Sequence, residues 1–153
     1  MKKIFISCPV TKYCNENLVT NGYQNFLEKL YEVCQSDCEN IYLAIKADNY
    51  NIKNMASDKM CTLQDYNEML EADVVIAIPE SSQGVAVEIG WASALNKKII
   101  VVLDEDVEYS PLIKAINEVT EAIILKINKK NTYIDIDSAF FEKIKILLDE
   151  IDN

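Results

Sequence analysis

Apolar residues follow two rhythms along this chain. Five short runs are almost uniformly apolar: Lys3–Ser7, Ile41–Ile45, Val74–Ile78, Lys98–Leu103 and Ala122–Lys126. Runs of that length, with no polar residue on alternate positions, are what strands covered on both faces require. The segments between them keep a helical period instead. Leu18–Cys34 places Phe26, Leu27, Leu30, Tyr31 and Cys34 on one stripe, and Leu63–Ala72 and Gln83–Leu95 are shorter helices. Pro111–Val119 starts with proline in its first turn behind Ser110, a fitting N-cap, and Ser138–Ile151 closes the chain. Lys46–Cys61 is polar and without clear period, and is expected to be a loop over a site.

Strands alternating with helices predict a single-domain α/β fold over residues 1–153: a flavodoxin-like or Rossmann-like five-stranded parallel sheet with helices on both faces. Ligands of such sheets bind outside the carboxyl ends of the strands, so the turns after Ser7, Ile45, Ile78 and Leu103 are the places where chemistry is expected. At 153 residues the chain is long enough to bury a core without disulfides or metal.

Charge and residue usage narrow the chemistry. The balance is acidic, 25 Asp and Glu against 15 basic residues, which argues against nucleic acid or an anionic membrane as partner and leaves a small molecule. No stretch approaches the roughly 20 apolar residues needed to span a bilayer, and a cytoplasmic location is expected. Five cysteines without a CxxC pair fit reduced thiols. Cys34 and Cys38 lie one helical turn apart, but no second pair completes a metal site, so no metal and no cofactor are expected. There is no histidine, and all fifteen basic residues are lysines. That removes Ser-His-Asp and Cys-His catalysis, histidine-bound zinc and any guanidinium clamp on phosphate. Carboxylates, hydroxyls, thiols, lysines and backbone amides must do the work.

Two segments stand out against this background. SSQGVAVEIGWASAL, residues 81–95, holds a single ionisable side chain, Glu88, among small and apolar neighbours. A buried carboxylate without a cation costs several kcal/mol or shifts its pKa, so it is kept by hydrogen bonds to a neighbouring loop or by function. Ser82 is a fitting N-cap for the helix that carries Glu88, and Gly84 leaves room for a ligand beside the backbone. Upstream, Asp65 is placed at the start of a short helix, where an aspartate ordinarily caps, and Asp73 at its end. The first loop, SCPVTKYC, sits where a phosphate-gripping turn would lie, yet it has no Cys-x5-Arg and no GxGxxG. Receiver-domain acidic residues are missing as well.

Taken together, IFIS at the start, Asp65 through Asp73 followed by VVIAI, then Ser82, Gly84, Glu88, Gly90 and Ala92 followed by ALNKKIIVVL, resemble the nucleoside 2-deoxyribosyltransferase family and its relatives, the 2'-deoxynucleoside 5'-phosphate N-hydrolases. The resemblance implies that Glu88 attacks the anomeric carbon of a (deoxy)ribosyl group and that Asp65 protonates or orients the departing base. A carboxylate can trap an oxocarbenium-like state without any histidine. Ser82 stands where the transferases carry an aspartate and the nucleotide hydrolases a serine. Ser110 matches a hydrolase serine donated across a dimer interface, which implies a homodimer or higher oligomer. Both serines suit a 5'-phosphate, since an aspartate would repel it. The first loop lacks the glycine and arginine of those hydrolases, leaving Ser7, Thr11, Lys12 and backbone amides to hold a phosphate. Tyr13 and Trp91 are read as core or interface residues before base contacts. Three readings follow in order: an N-glycosidase of a (deoxy)nucleoside 5'-monophosphate working through a glycosyl–Glu88 intermediate, a transferase exchanging bases on deoxyribonucleosides, and a non-catalytic nucleotide-sensing or TIR-like module.

Overall fold

The computed structural model describes residues 2–36, 38, 40–130 and 132–152. Its strands are β1 (Lys3–Ser7), β2 (Cys14–Asn15), β3 (Leu18–Val19), β4 (Asn40–Tyr42), β5 (Val74–Ala77), β6 (Lys98–Asp104) and β7 (Ala122–Ile127). Its α-helices are α1 (Asn21–Gln35), α2 (Ala44–Ala47), α3 (Asp58–Glu71), α4 (Gln83–Ala94), α5 (Pro111–Lys114) and α6 (Ser138–Asp152). Five strands form one sheet in the order β4-β1-β5-β6-β7, every pairing parallel. This is the flavodoxin-like order, and its direction reverses between β1 and β5.

Because side chains alternate across a strand, each strand feeds two cores. Ile4, Ile6, Val74, Ile76, Ile100 and Val102 face α1 and α6, meeting Phe26, Leu27, Leu30, Ile144 and Leu148. Phe5, Val75, Ala77, Ile99 and Val101 face α3 and α4, meeting Met69, Val85, Ile89 and Ala92. Covering on both sides explains why the central strands read as continuous apolar runs.

Several expected boundaries move. The second strand ends at Tyr42, and Leu43 and Ile45, both buried, lie on either side of the turn into α2, where the Leu43 carbonyl accepts from Lys46 N at 3.1 Å. Burial on alternate positions had made that turn look like strand. The expected helix from Leu18 starts at Asn21, because Leu18–Val19 pairs with Cys14–Asn15 as a small hairpin. Lys46–Cys61 is not one loop: it holds the end of α2, a 3₁₀ turn at Ile52–Asn54 and the first turn of α3. That first turn is exposed and therefore lacks an apolar stripe, but Ser57 caps it by accepting from Met60 N at 3.3 Å. Helix α5 stops at Lys114 and resumes as a 3₁₀ turn at Ile116–Glu118. Among the described residues, no helix is long and apolar enough to cross a membrane.

Candidate active site

Strand β1 delivers Ser7 to the carboxyl edge of the sheet, and β5, one strand over, delivers the chain to α4. Ser82 caps α4, its hydroxyl accepting from Val85 N at 3.3 Å, and Glu88 follows in the second turn. Asp65 lies in the middle of α3, the helix packed against α4, and not at a helix start, so it is no cap. Its Oδ1 accepts a 2.7 Å hydrogen bond from the hydroxyl of Tyr42, at the end of β4.

Glu88 has no lysine beside it and no hydrogen bond of full geometry among the described residues. Burial, and then the charge of Asp65, push its carboxyl up to about 8, and the nearby Ser7 hydroxyl offsets only part of that rise. Ser7 Oγ is itself buried, with no partner within hydrogen-bonding geometry. Ser7 Oγ therefore stands beside the Glu88 carboxyl without a hydrogen bond of full geometry to fix it. Asp65 is raised as well, by burial and by the charges of Asp48 and Glu68, while Tyr42 pulls it down. Two carboxyls and a free hydroxyl therefore converge at the point where the sheet order reverses.

The thiol next to this group is inert. Burial foremost, and then the charges of Glu88 and Glu80, push Cys8 up to about 12, far from a thiolate at neutral pH. Among the described residues no group of three or more Cys, Asp or Glu is arranged to hold a metal ion.

The remaining candidates divide. A Cβ on Gly84 would meet only Ser82 Oγ, at 3.8 Å, so the backbone there is open to a ligand. Thr11 sits exposed on the 3₁₀ turn Thr11–Tyr13. Ser110 caps α5, accepting from Leu112 N at 3.2 Å, and is exposed. Trp91 packs edge-on against Tyr66 at 5.2 Å and, partly buried, against the core under α3 and α4.

Sequence reasoning missed the most heavily bonded polar cluster of the same edge. Glu80, just past β5, has a side chain 1% exposed. It accepts from Tyr13 Oη at 2.5 and 2.7 Å, from Tyr133 Oη at 2.8 Å, from Lys12 Nζ at 3.3 Å and from Lys129 Nζ. Lys129 also lies 3.8 Å from Asp104 Oδ2. Burial alone would raise the Glu80 carboxyl, but the donors from Lys129, Tyr13 and Tyr133 outweigh it and hold it below its ordinary value. The backbone of Glu80 takes φ 40°, strained for a residue with a Cβ, and four side-chain donors fix it there. Its partners lie 49 to 68 residues away, so no local pattern marks the cluster.

Other concavities lie away from this group. One of about 500 Å3 opens at the amino edge, near Lys2, Asp73, Lys97 and Lys98. There Lys97 and Lys98 donate to the carbonyls of Leu70 and Ile151, which is helix-end capping and not chemistry. Volume alone does not mark a site; an unpartnered acid beside a second acid does.

The nucleoside 2-deoxyribosyltransferase family model matches residues 14–142. Among solved structures, a CMP N-glycosidase of Clostridium botulinum, BcmB, is 25% identical, with a TM-score of 0.69, covering 95% of this chain and 99% of its own. BlsM is 24% identical, with a TM-score of 0.72, covering 99% of this chain and 94% of its own, and supports the fold. A conserved protein of Enterococcus faecalis V583 is 20% identical, with a TM-score of 0.54 over 99% of this chain and 98% of its own, and shares the architecture. No curated protein matches.

Proposed function

We propose, for a chain that belongs to the nucleoside 2-deoxyribosyltransferase family, that the reaction is hydrolysis of the base–sugar bond of a (deoxy)nucleoside 5'-monophosphate through a covalent glycosyl–Glu88 intermediate. The observation that carries this reading is Glu88 itself: a carboxyl with no cationic partner, beside a second carboxyl, at the sheet's switch point. An ionised Glu88 stabilises positive charge developing at the anomeric carbon and then bonds to it, while Asp65 handles the proton that the departing base needs. Water on the same carbon releases the sugar phosphate and frees the carboxylate.

The phosphate is supported by Ser82 at the first turn of α4, where free backbone amides favour an anion, and by Gly84, whose backbone is open beside it. A similar chain acts on CMP, a nucleoside monophosphate. Ser110 faces solvent in the single chain, and Leu63, Tyr66, Leu70, Val87 and Leu112 leave apolar surface exposed on α3, α4 and α5. A second copy covering that face would bring its Ser110 to this site, which makes the working unit a homodimer or higher oligomer.

The test is incubation with a panel of nucleosides and their 5'-monophosphates, with released bases read by chromatography and quenched protein read by mass spectrometry for an adduct on the Glu88 peptide. Base release from monophosphates with that adduct supports the reading. Exchange onto an added second base, from free deoxynucleosides, would instead select the transferase activity named by the family model. Tight nucleotide binding without release over hours would overturn catalysis.

A further inference from the structure

The double displacement has a requirement that the free site does not meet as it stands: Glu88 must be anionic to attack, and the leaving base must receive a proton. Glu88 and Asp65 come from α4 and α3, two helices packed together, and the charge of Asp65 opposes ionisation of Glu88, so the two carboxyls titrate as a coupled pair. The surroundings of the two carboxyls differ in one respect. Asp65 holds a donor at 2.7 Å, the Tyr42 hydroxyl, whereas Glu88 holds none of full geometry. Tyr42 is fixed for this by the end of β4 and by its ring, 5.1 Å from that of Phe5. A phenol donating to a carboxylate favours the charged form of that carboxylate.

We propose that the Tyr42 hydroxyl assigns the shared proton to Glu88 in the resting protein, so that the proton delivered to the departing base is the nucleophile's own, relayed through Asp65. The inference rests on the N-glycosidase reading and adds a positioning residue to it. In the resting state Glu88 is a carboxylic acid and Asp65 a carboxylate. As the C1'–N bond breaks, the proton passes from Glu88 to Asp65 and from Asp65 to the base nitrogen that takes the bond's electron pair. The Glu88 oxygen so exposed forms the bond to C1'. Water then attacks C1', the ester bond breaks, one water proton stays on the new sugar hydroxyl and the other returns to Glu88.

Other groups facing the pair fit this order. Glu88 is met by Ser7 and Cys8 from β1 and its loop, and by Tyr42 from β4. Asp65 is met by Asp48, Glu68 and Cys61, none of them a cation. The unpartnered Ser7 hydroxyl is a donor in reserve for Glu88 once it ionises. A neutral resting nucleophile also limits repulsion against an incoming phosphate.

The experiment is a pH titration of the intact, substrate-free protein labelled with 13C at Glu and Asp carboxyl carbons, followed by NMR. In the wild type the transition near 8 is expected on the Glu88 carbon. In Tyr42→Phe, with folding checked by circular dichroism, the high transition moves to the Asp65 carbon and that of Glu88 falls by roughly one to two pH units. A Glu88 transition unchanged in Tyr42→Phe overturns the proposal. Asp65→Asn provides a second arm: it brings the Glu88 transition down from about 8, and a transition that stays there overturns the coupling on which the assignment depends. Both arms are read without substrate. An inactive protein that titrates as expected would sink the N-glycosidase reading and the relay to base, but not the placement of the proton.

Discussion

Two glutamates eight residues apart, Glu80 and Glu88, reach the same edge of the same sheet and meet opposite environments. Glu80 is almost wholly buried, yet donors from four side chains hold it charged, on a backbone it would not otherwise adopt. Glu88 is less enclosed but unpartnered, and its carboxyl rises to about 8. Burial does not by itself decide a carboxylate's state: the number and charge of donors facing it do. The first acid is spent on structure, tying the loop after β1 to segments past β5 and β7. The second is left free to react.

The largest effect that can break this contrast is on turnover. Glu88→Gln is expected to lower base release by about 10⁴-fold or more while leaving nucleotide affinity and folding in place, as judged by steady-state rates and calorimetry. A variant that keeps turnover and loses binding would remove Glu88 from the chemistry. Glu80→Gln should instead act on stability. It leaves the buried Lys129 with only the more distant Asp104 carboxylate and costs about 2–4 kcal/mol, read as a lower urea midpoint. If Glu80→Gln unfolds no more easily yet stops base release, the two assignments are exchanged.

The pH dependence of stability sharpens the difference further, because the two shifts have opposite signs. Glu88, raised to about 8, keeps a proton in the folded state that the unfolded chain has already lost; its contribution is complete below about 4.5 and declines as pH rises toward 8. Glu80, lowered, contributes above its ordinary value of 4.5 and loses that contribution as pH falls through its folded value. Urea unfolding of wild type and Glu88→Gln between pH 5 and 8 should therefore show the variant gaining on the wild type with rising pH, by roughly 1–3 kcal/mol at the upper end. Parallel curves would mean that Glu88 is not held neutral. The smallest effect is expected at Ser7. Ser7→Ala removes a hydroxyl that bonds nothing in the free chain, so stability should hold within about 0.5 kcal/mol while base release falls roughly tenfold. A loss of stability without loss of rate would make Ser7 a packing residue.

The parts that sequence pattern revealed are those governed by local rules. Four of the five sheet strands lie close to their apolar runs, because strands covered on both faces leave no polar alternation to confuse them. Helix α4 begins behind its cap at Ser82, and Glu88 stands out by being the only charge in a greasy segment. The expectation of a helix start at Asp65 failed because the preceding turn of α3 is solvent-exposed and carries no apolar stripe. Tyr42 went unnoticed for a related reason: its partner lies 23 residues away, and a tyrosine at a strand end looks like any other half-buried aromatic.

Composition and local pattern alone determined the fold class, the absence of histidine and arginine chemistry, and the identity of the isolated acid. Folding decided which acids have company. Glu80 and Glu88 each follow strand β5 within a dozen residues, and nothing in their immediate neighbours says that one will meet Lys129, Tyr13 and Tyr133 while the other will meet Asp65 and an idle hydroxyl. Those encounters depend on α3 packing against α4 and on the segments after β1 and β7 converging at one edge, and electrostatic state is set by neighbours in space.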